Sequence, residues 1–476
     1  MYYLLWCLVP VKLFGTAGIR LRYPDQLDPV LAYRIGLAVG QLMLSRRAYV
    51  VTDTRVTRHV LALSLSSGLL ASGVDVYYGG VAPTPVAGYA GKTEKAIGVS
   101  VTASHNPPEY NGFKFYDPEG YEFTRNLEER IESMVYSEAS LREWSSTGIF
   151  EASSVVLKNY TEDLLEFLGK PKAAWRPRVV VDCANGASYD VTPSIARELG
   201  ATPVTLNCNP DGFFPTRLPE PRKDVLESLL PVYRAADPAL VIAHDGDADR
   251  VAFLDPVAGF IRQDRVLAFF AKRILSDTKG LVVVSIDTGF VLDDVVEECG
   301  GKVERYALGK THERVKELGA SSVVMAGEPW KLIYTKWGPW VDGVLQVGIV
   351  VKEIIERGKP LTRILEEEKI PDYPWDRRSY LLEPIEIRDA AYADLVEELD
   401  QALGEPLRVV SIDGYRFEYS DRSWVLIRKS GTEPKIRLYA EAQEKSRLEY
   451  IVKTVENLVL RAVKKRGGRV VEITIG

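Results

Sequence analysis

Apolar and polar positions along this chain follow two periods that take turns. Leu31, Ile35, Ala38 and Leu42 stand at helical spacing and predict a helix over residues 29–46. Residues 49–52 read as a strand, and a second helix from about residue 58 ends at Gly73, a natural C-terminal cap. A strand over 96–102 opens into a polar loop. The theme returns at 178–183, a β-branched strand followed by a loop at Asn185-Gly186 and a helix that reaches Gly200. Strand patterns at 240–243 and 281–286 each lead into helical stretches. Continuous apolar strands between amphipathic helices predict α/β layers whose sheets are buried on both faces.

The pattern breaks in three places: a composition change over 137–152, a turn at 255–259 and a polar stretch with two prolines at 370–374. Beyond the last break helices become fewer, and strands at 424–427 and 436–440 predict a hairpin with a polar tip. Four domains are therefore expected, at 1–150, 151–255, 256–371 and 372–476. The first three are α/β with mixed sheets and the last is α+β.

Composition removes several function classes. With 60 basic and 66 acidic residues the formal net charge is −6, and no tract is rich in lysine and arginine, so neither nucleic acid nor an anionic membrane is expected as a partner. The four cysteines (Cys7, Cys183, Cys208, Cys299) are far apart and include no Cys-x-x-Cys pair. Neither a zinc framework nor a dense disulfide set is indicated, and a reducing cytoplasm is the simplest compartment. The apolar run 1–11 is too short to span a bilayer, which takes about 20 residues, and lacks the charged start of a signal peptide. It reads as an edge strand or as a start codon assigned too early.

Four polar segments follow apparent strands, where α/β proteins place ligands. The first, Thr102-Ala103-Ser104-His105-Asn106-Pro107, continues to Asn111-Gly112-Phe113-Lys114. Its Ser-His neighbours could serve as nucleophile and base, or form an ordinary Ser/Asn/Pro turn; no Gly-x-Ser-x-Gly elbow is present. The second is Asp245-Gly246-Asp247-Ala248-Asp249-Arg250, whose alternating carboxylates suit a hard cation. An EF-hand is excluded, because its glycine position holds Arg250. The third, Gly327-Glu328-Pro329-Trp330, is a turn with one acid. Upstream, Gly309-Lys310-Thr311 lacks the first glycine of a P-loop. The fourth runs from Arg428 through Ser430, Gly431 and Thr432 to Arg437, a natural cradle for a phosphate monoester.

Taken in this order, and with Gly15-Thr16-Ala17-Gly18-Ile19-Arg20 ahead of them, these segments resemble the α-D-phosphohexomutase family, in particular its archaeal-type phosphomannomutase/phosphoglucomutase members. The stretch from Asn209-Pro210-Asp211-Gly212 to Pro219-Glu220-Pro221 is similar to the family as well. The resemblance implies an active site in a central interdomain cleft and a mutase that interconverts mannose or glucose 1- and 6-phosphates. Ser104 would carry a phosphoryl group, and Asp245, Asp247 and Asp249 would hold Mg2+ together with it. Lys114 and His105 would move protons, while Arg20 and Arg250 steady the phosphoryl group. Glu328 and Lys310 would face the sugar; Arg428, Ser430, Gly431, Thr432 and Arg437 would grip the phosphate not being transferred. A hexose 1,6-bisphosphate would be the intermediate and activator. The partners implied are small sugar phosphates, with the chain a monomer or small homo-oligomer.

Three positions depart from the family. Pro329-Trp330-Lys331-Leu332 replaces a run of small polar residues, Leu21 follows Arg20, and Lys310 stands where relatives carry Asp or His. Trp330 is expected either to stack on the sugar ring or to narrow its pocket. Alternative readings are a phosphoglucosamine mutase, a catalytically idle sugar-phosphate binder and a phosphatase-like enzyme.

Overall fold

The computed structural model describes residues 12–137, 140–430 and 434–475. The apolar run 1–11 and the expected phosphate contacts Gly431 and Thr432 lie outside the described residues.

Asp28 opens the first helix, Pro29–Gln41, by accepting a hydrogen bond from Leu31 N at 2.7 Å, with proline at the first helical position. The helix stops short of residue 46 because Met43 takes a left-handed conformation, turning the chain into the strand Arg47–Thr52. The next helix, Arg58–Ala71, ends where its glycine predicts, with Gly73 at φ +85°.

Four sheets follow one another. The first has the strand order Ile19–Arg22, Tyr110–Tyr116, Ile97–Val101, Arg47–Thr52, Asp75–Val81, Phe150–Ala152. Its inner strands are parallel, and Tyr110–Tyr116 runs antiparallel to both of its neighbours. The second has five strands in the order Gly259–Phe260, Val251–Asp255, Leu240–His244, Arg178–Asp182, Thr202–Leu206. The third has four, Lys302–Tyr306, Leu281–Ser285, Val323–Glu328 and Lys331–Tyr334. Both of these are mixed as well. The first sheet includes Phe150–Ala152 and the second Gly259–Phe260, so each reaches slightly past the breaks at 150 and 255.

The fourth sheet is wholly antiparallel, with six strands. Its central hairpin pairs Trp424–Lys429 with Lys435–Glu441, and two long helices, Arg388–Leu403 and Lys445–Lys465, pack on it. The architecture is three α/β domains with mixed sheets and a C-terminal α+β domain.

The domains are not equally coupled. Val51, Val181, Ile242, Val284 and Leu345 belong to one apolar cluster that runs through the first three domains. The fourth keeps its own core, around Tyr380, Leu399, Ile427, Leu438 and Val455. It meets the third through a small cluster in which Ile286 and Phe290 pack with Trp424, Leu426 and Tyr439. Buried Arg416 reinforces that seam. It stacks over Trp424 at 3.9 Å and donates to the carbonyls of Ile286 and Thr288, both at 2.8 Å. Burial pushes this guanidinium down to about 9.

Cys183 and Cys208, 25 positions apart, form a disulfide with their Cα atoms 4.9 Å apart. The parallel strands Arg178–Asp182 and Thr202–Leu206 bring them side by side, a proximity that no short Cys spacing announces. Among the described residues no helix is long and apolar enough to cross a membrane.

Candidate active site

The first polar loop leaves the carboxyl end of the strand Ile97–Val101, and its backbone is bent around one residue. Ser104 sits at φ +53°, a left-handed conformation unusual for a residue with a side chain. The loop is held in that shape from below. Arg55 is fully buried, pairs with Asp53 at 3.0 Å, and donates to the carbonyls of Ser104 at 3.0 Å, Asn106 at 2.6 Å and Tyr110 at 2.7 Å, and also to that of Pro107. Asp53 accepts from Thr102 Oγ1 at 2.7 Å, and Thr102 Oγ1 in turn accepts from Ser104 N at 2.7 Å. Sequence reading missed Asp53 and Arg55. The available signal was Asp53-Thr54-Arg55, a polar run placed directly after a buried parallel strand.

The second loop follows the strand Leu240–His244 and meets the first. Ser104 Oγ donates to Asp245 Oδ2 at 2.7 Å. The two loops touch through Gly246, where an added Cβ would lie 2.6 Å from the Ser104 carbonyl oxygen. That approach requires glycine. Asp245, Asp247 and Asp249 are all buried, and one oxygen from each lies within 4.8 Å of the others. Asp247 also accepts from Thr84 Oγ1 at 2.7 Å, a contact not foreseen from sequence.

Lys114 enters from the antiparallel strand Tyr110–Tyr116 and bridges Asp247 Oδ2 at 2.7 Å and Asp249 Oδ2 at 2.6 Å. Arg20, on the neighbouring edge strand, lies 3.4 Å from His105 Nδ1, which is itself 3.5 Å from Ser104 Oγ. Arg250 approaches Asp249 Oδ1 at 3.9 Å, and its backbone N–H donates to Asp245 at 3.3 Å. The structure thus gathers Arg20, Ser104, His105, Lys114, Asp245, Asp247, Asp249 and Arg250 around one point.

Electrostatics separates these groups. Burial, then Asp247 and Asp249, push the Asp245 carboxyl well above its ordinary range. Burial acts the same way on Asp249, but Lys114, Arg250 and Lys331 outweigh it and hold that carboxyl low. Burial opposes the charge on Lys114, yet Asp247 and Asp249 prevail and raise it. His105 is pushed well down by burial, then by Arg250 and Arg20, so its ring is neutral at pH 7. Asp247 Oδ1 and Asp249 Oδ1 are buried and have no hydrogen-bond partner. Unsatisfied carboxylate oxygens beside a third acid suit a divalent cation with hard oxygen preference.

The third loop is a hairpin. Glu328 and Lys331 are direct cross-strand partners on either side of Pro329-Trp330. Proline second and a left-handed third residue, Trp330 at φ +67°, follow the pattern of a type II turn. Glu328 is buried, accepts from Thr311 Oγ1 at 2.9 Å and pairs with Lys331 at 3.3 Å. The Trp330 side chain packs against an apolar cluster of the second domain that includes Leu226, Tyr233 and Leu254. Its carbonyl accepts from Val251 N at 3.4 Å, so the turn is stitched to the strand that follows the metal loop. Lys310 turns toward Glu313, 2.8 Å away.

In the fourth domain Arg428 and Arg437 face each other across the hairpin, and Arg428 pairs with Asp413 at 2.8 Å. Ser430 is buried, and its N–H donates to the Lys435 carbonyl at 3.0 Å, closing the base of the tip.

Comparison with known proteins identifies a family. Residues 11–142 match the phosphoglucomutase/phosphomannomutase alpha/beta/alpha domain I, 158–258 match domain II, and 386–458 match the C-terminal domain. A phosphopentomutase of Thermococcus kodakarensis is 38% identical over 458 residues, 96% of this chain and 99% of its own. A probable phosphoglucosamine mutase of Methanopyrus kandleri is 38% identical over 467 residues, 95% of this chain and 99% of its own. The crystal structure of a phosphoglucomutase/phosphomannomutase family protein from Burkholderia thailandensis superposes with a TM-score of 0.81 at 26% identity, covering 95% of this chain and 97% of that one. The chain belongs to the α-D-phosphohexomutase superfamily of intramolecular phosphotransferases. Relatives this similar carry pentose and amino-sugar names, so the mannose/glucose branch read from the motifs is not singled out.

Proposed function

We propose that the protein is a phosphosugar mutase that moves a phosphoryl group between the C1 oxygen and the terminal hydroxymethyl oxygen of a sugar, through a phosphorylated Ser104. The observation that carries this reading is Ser104 Oγ at 2.7 Å from Asp245, inside a buried triad of aspartates. The charge balance supports it. Three carboxylates are offset by Lys114, Arg20 and Arg250, so a phosphoserine of roughly −1.5 to −2 charge needs one further divalent cation. Asp245, Asp247, Asp249 and a phosphoserine oxygen would hold that cation, Mg2+ by oxygen preference, and when bound it would neutralise charge on the transferring group.

The chain's own groups account for the rest. His105, beside Ser104 Oγ, and Lys114, bridging two of the aspartates, are the groups placed to move protons between the attacking sugar hydroxyl and the serine oxygen as its bond to phosphorus breaks. Arg20 and Arg250 steady the phosphoryl oxygens. Arg428, Ser430 and Arg437, with Gly431 and Thr432, would hold the second phosphate, and Glu328 a sugar hydroxyl. The sugar bisphosphate must turn over before it returns its other phosphate. A fourth domain with its own core, which meets the third through a separate small apolar cluster, suits that movement.

The names of the relatives favour an amino sugar or a pentose over the mannose and glucose phosphates suggested by the motifs. The test is intact-mass measurement joined to an assay with Mg2+ and a sugar bisphosphate. A phosphate-sized addition absent from Ser104→Ala, together with 1-phosphate to terminal phosphate conversion, is expected. Release of free phosphate alone would favour a phosphatase, and no turnover of any sugar phosphate would refute the proposal.

A further inference from the structure

We infer that Asp342 is a positioning residue for the cation site: it holds the start of the helix Gly343–Arg357 against the metal loop, and so sets how Asp247 and Asp249 stand toward an ion. The inference rests on the reading of Asp245, Asp247 and Asp249 as cation ligands, and it concerns a residue of a different domain.

Asp342 is fully buried, and four donors converge on its carboxylate. Oδ1 accepts from Leu345 N at 2.8 Å, which caps the helix, and from Tyr160 Oη at 2.9 Å. Oδ2 accepts from the indole N–H groups of Trp337 at 2.9 Å and Trp340 at 3.2 Å. Tyr160 comes from the helix Val155–Leu168 of the second domain. Tyr89 of the first domain packs on Tyr160, Trp337 and Trp340, with ring centroids 5.6, 5.9 and 6.2 Å away. Three domains therefore meet around one carboxylate. Burial pushes this carboxyl up, and all four donors pull against it.

A helix cap needs only the contact to Leu345, which a serine or an asparagine can make. The other donors ask for more. An amide in either orientation would turn its NH2 toward N–H donors, so both oxygens of an acid are required. What this fixes is the contact made by the next residue. Gly343 lies so close to the metal loop that an added Cβ would be 2.5 Å from the Ala248 carbonyl oxygen and 3.1 Å from that of Arg250. Ala248 stands between Asp247 and Asp249, fully buried and at φ +58°, so a shift of its backbone turns both acids. The same turn of helix also carries the third loop: Asp342 N donates to the Leu332 carbonyl at 3.0 Å, and Gln346 Nε2 to that of Trp330 at 3.2 Å. Groups that orient the ligands of an ion change its affinity by about 10–100-fold when altered.

The test titrates the full chain with Mn2+, a paramagnetic substitute for Mg2+, and follows free ion by electron paramagnetic resonance where circular dichroism shows each variant folded. Asp342→Ser keeps a capping oxygen for Leu345 but cannot serve the indoles. Gly343→Ala leaves Asp342 and its donors in place and pushes on Ala248. Each should weaken Mn2+ binding by about tenfold. Leu399→Ala, in the separate core of the fourth domain, should lower stability and leave Mn2+ binding unchanged. Parental affinity in either of the first two variants, or an equal loss in Leu399→Ala, overturns the inference and leaves the metal reading intact. Should one of the two not fold, Tyr160→Phe, which removes a single hydroxyl, replaces it under the same criterion. No Mn2+ binding by the parent, or parental binding by Asp245→Asn, overturns the metal reading and the inference together.

Discussion

Ser104 and Asp245 are 141 positions apart in the chain and share a 2.7 Å hydrogen bond, each delivered by the carboxyl end of a strand in a different sheet. The contact makes Asp245 the link between the serine and the other two acids. Asp245→Asn keeps the shape and the hydrogen bond but removes a cation ligand. We expect turnover to fall by about 10³-fold or more, the size of effect seen when charge stabilisation in a site is lost. Adding Mg2+ should raise the melting temperature of the unaltered protein and leave that of Asp245→Asn nearly unmoved. Wild-type turnover in this variant would contradict the assignment, and a chelator should reproduce its activity loss in the parent.

Arg55 predicts a different phenotype, because it touches the loop and not the reacting atoms. It is fully buried and ties four carbonyls to Asp53. Removing one member of a buried pair commonly costs about 3–5 kcal/mol. Arg55→Met should lower the urea midpoint accordingly, and Arg55→Lys should recover only part of it, since an ammonium cannot span the same fork of acceptors. Stability unchanged in Arg55→Met would mean that the loop holds its own shape.

The Cys183–Cys208 bridge makes a prediction about thiols. The protein unfolded without reductant should show two fewer free thiols than after reduction. Closing a loop of 25 positions is worth about 3 kcal/mol in the chain-entropy account, so Cys208→Ser should lose stability of that order. The bridged segment contains Ala187, whose N–H donates to the Gly246 carbonyl at 2.9 Å. The same variant should therefore also weaken Mg2+ binding. Equal thiol titres before and after reduction would sink this prediction.

His244 sets a pH dependence of stability. Its ring is buried between Thr192 Oγ1 and the Arg250 carbonyl, both at 3.0 Å, and burial pushes it down to about 4 from an ordinary 6.5. The unfolded chain then takes up the proton first. Stability is complete above about pH 6.5 and is lost as pH falls toward 4, by about 3 kcal/mol for this ring. His244→Gln should remove that slope when urea midpoints at pH 7 and 4.5 are compared with the parent; parallel slopes would argue against a neutral buried ring. His105 is lowered in the same direction and should add to the parent's loss.

Much of this molecule is legible along its chain. Strand and helix periods predicted α/β layers and the C-terminal hairpin, because side-chain burial in a sheet or on a helix face is written at two and at three to four residue intervals. The metal triad was legible too: Asp245, Asp247 and Asp249 are near in sequence and on one loop, so their convergence needs no knowledge of the rest. Helix ends were less so. Met43 stops its helix early through a backbone conformation that no apolar period encodes.

What local order determined, then, was the kind of chemistry available: a hydroxyl, a set of acids, a cradle of cations. Tertiary packing decided which of them meet. It placed Ser104 on Asp245, drew Lys114 between two aspartates, set Arg55 beneath a loop about 50 residues away, and joined Cys183 to Cys208. It also packed the Trp330 indole against the second domain and set Lys331 beside Glu328. Those meetings depend on strand order and on how one sheet seats against the next, relations between distant segments that a one-dimensional pattern does not carry.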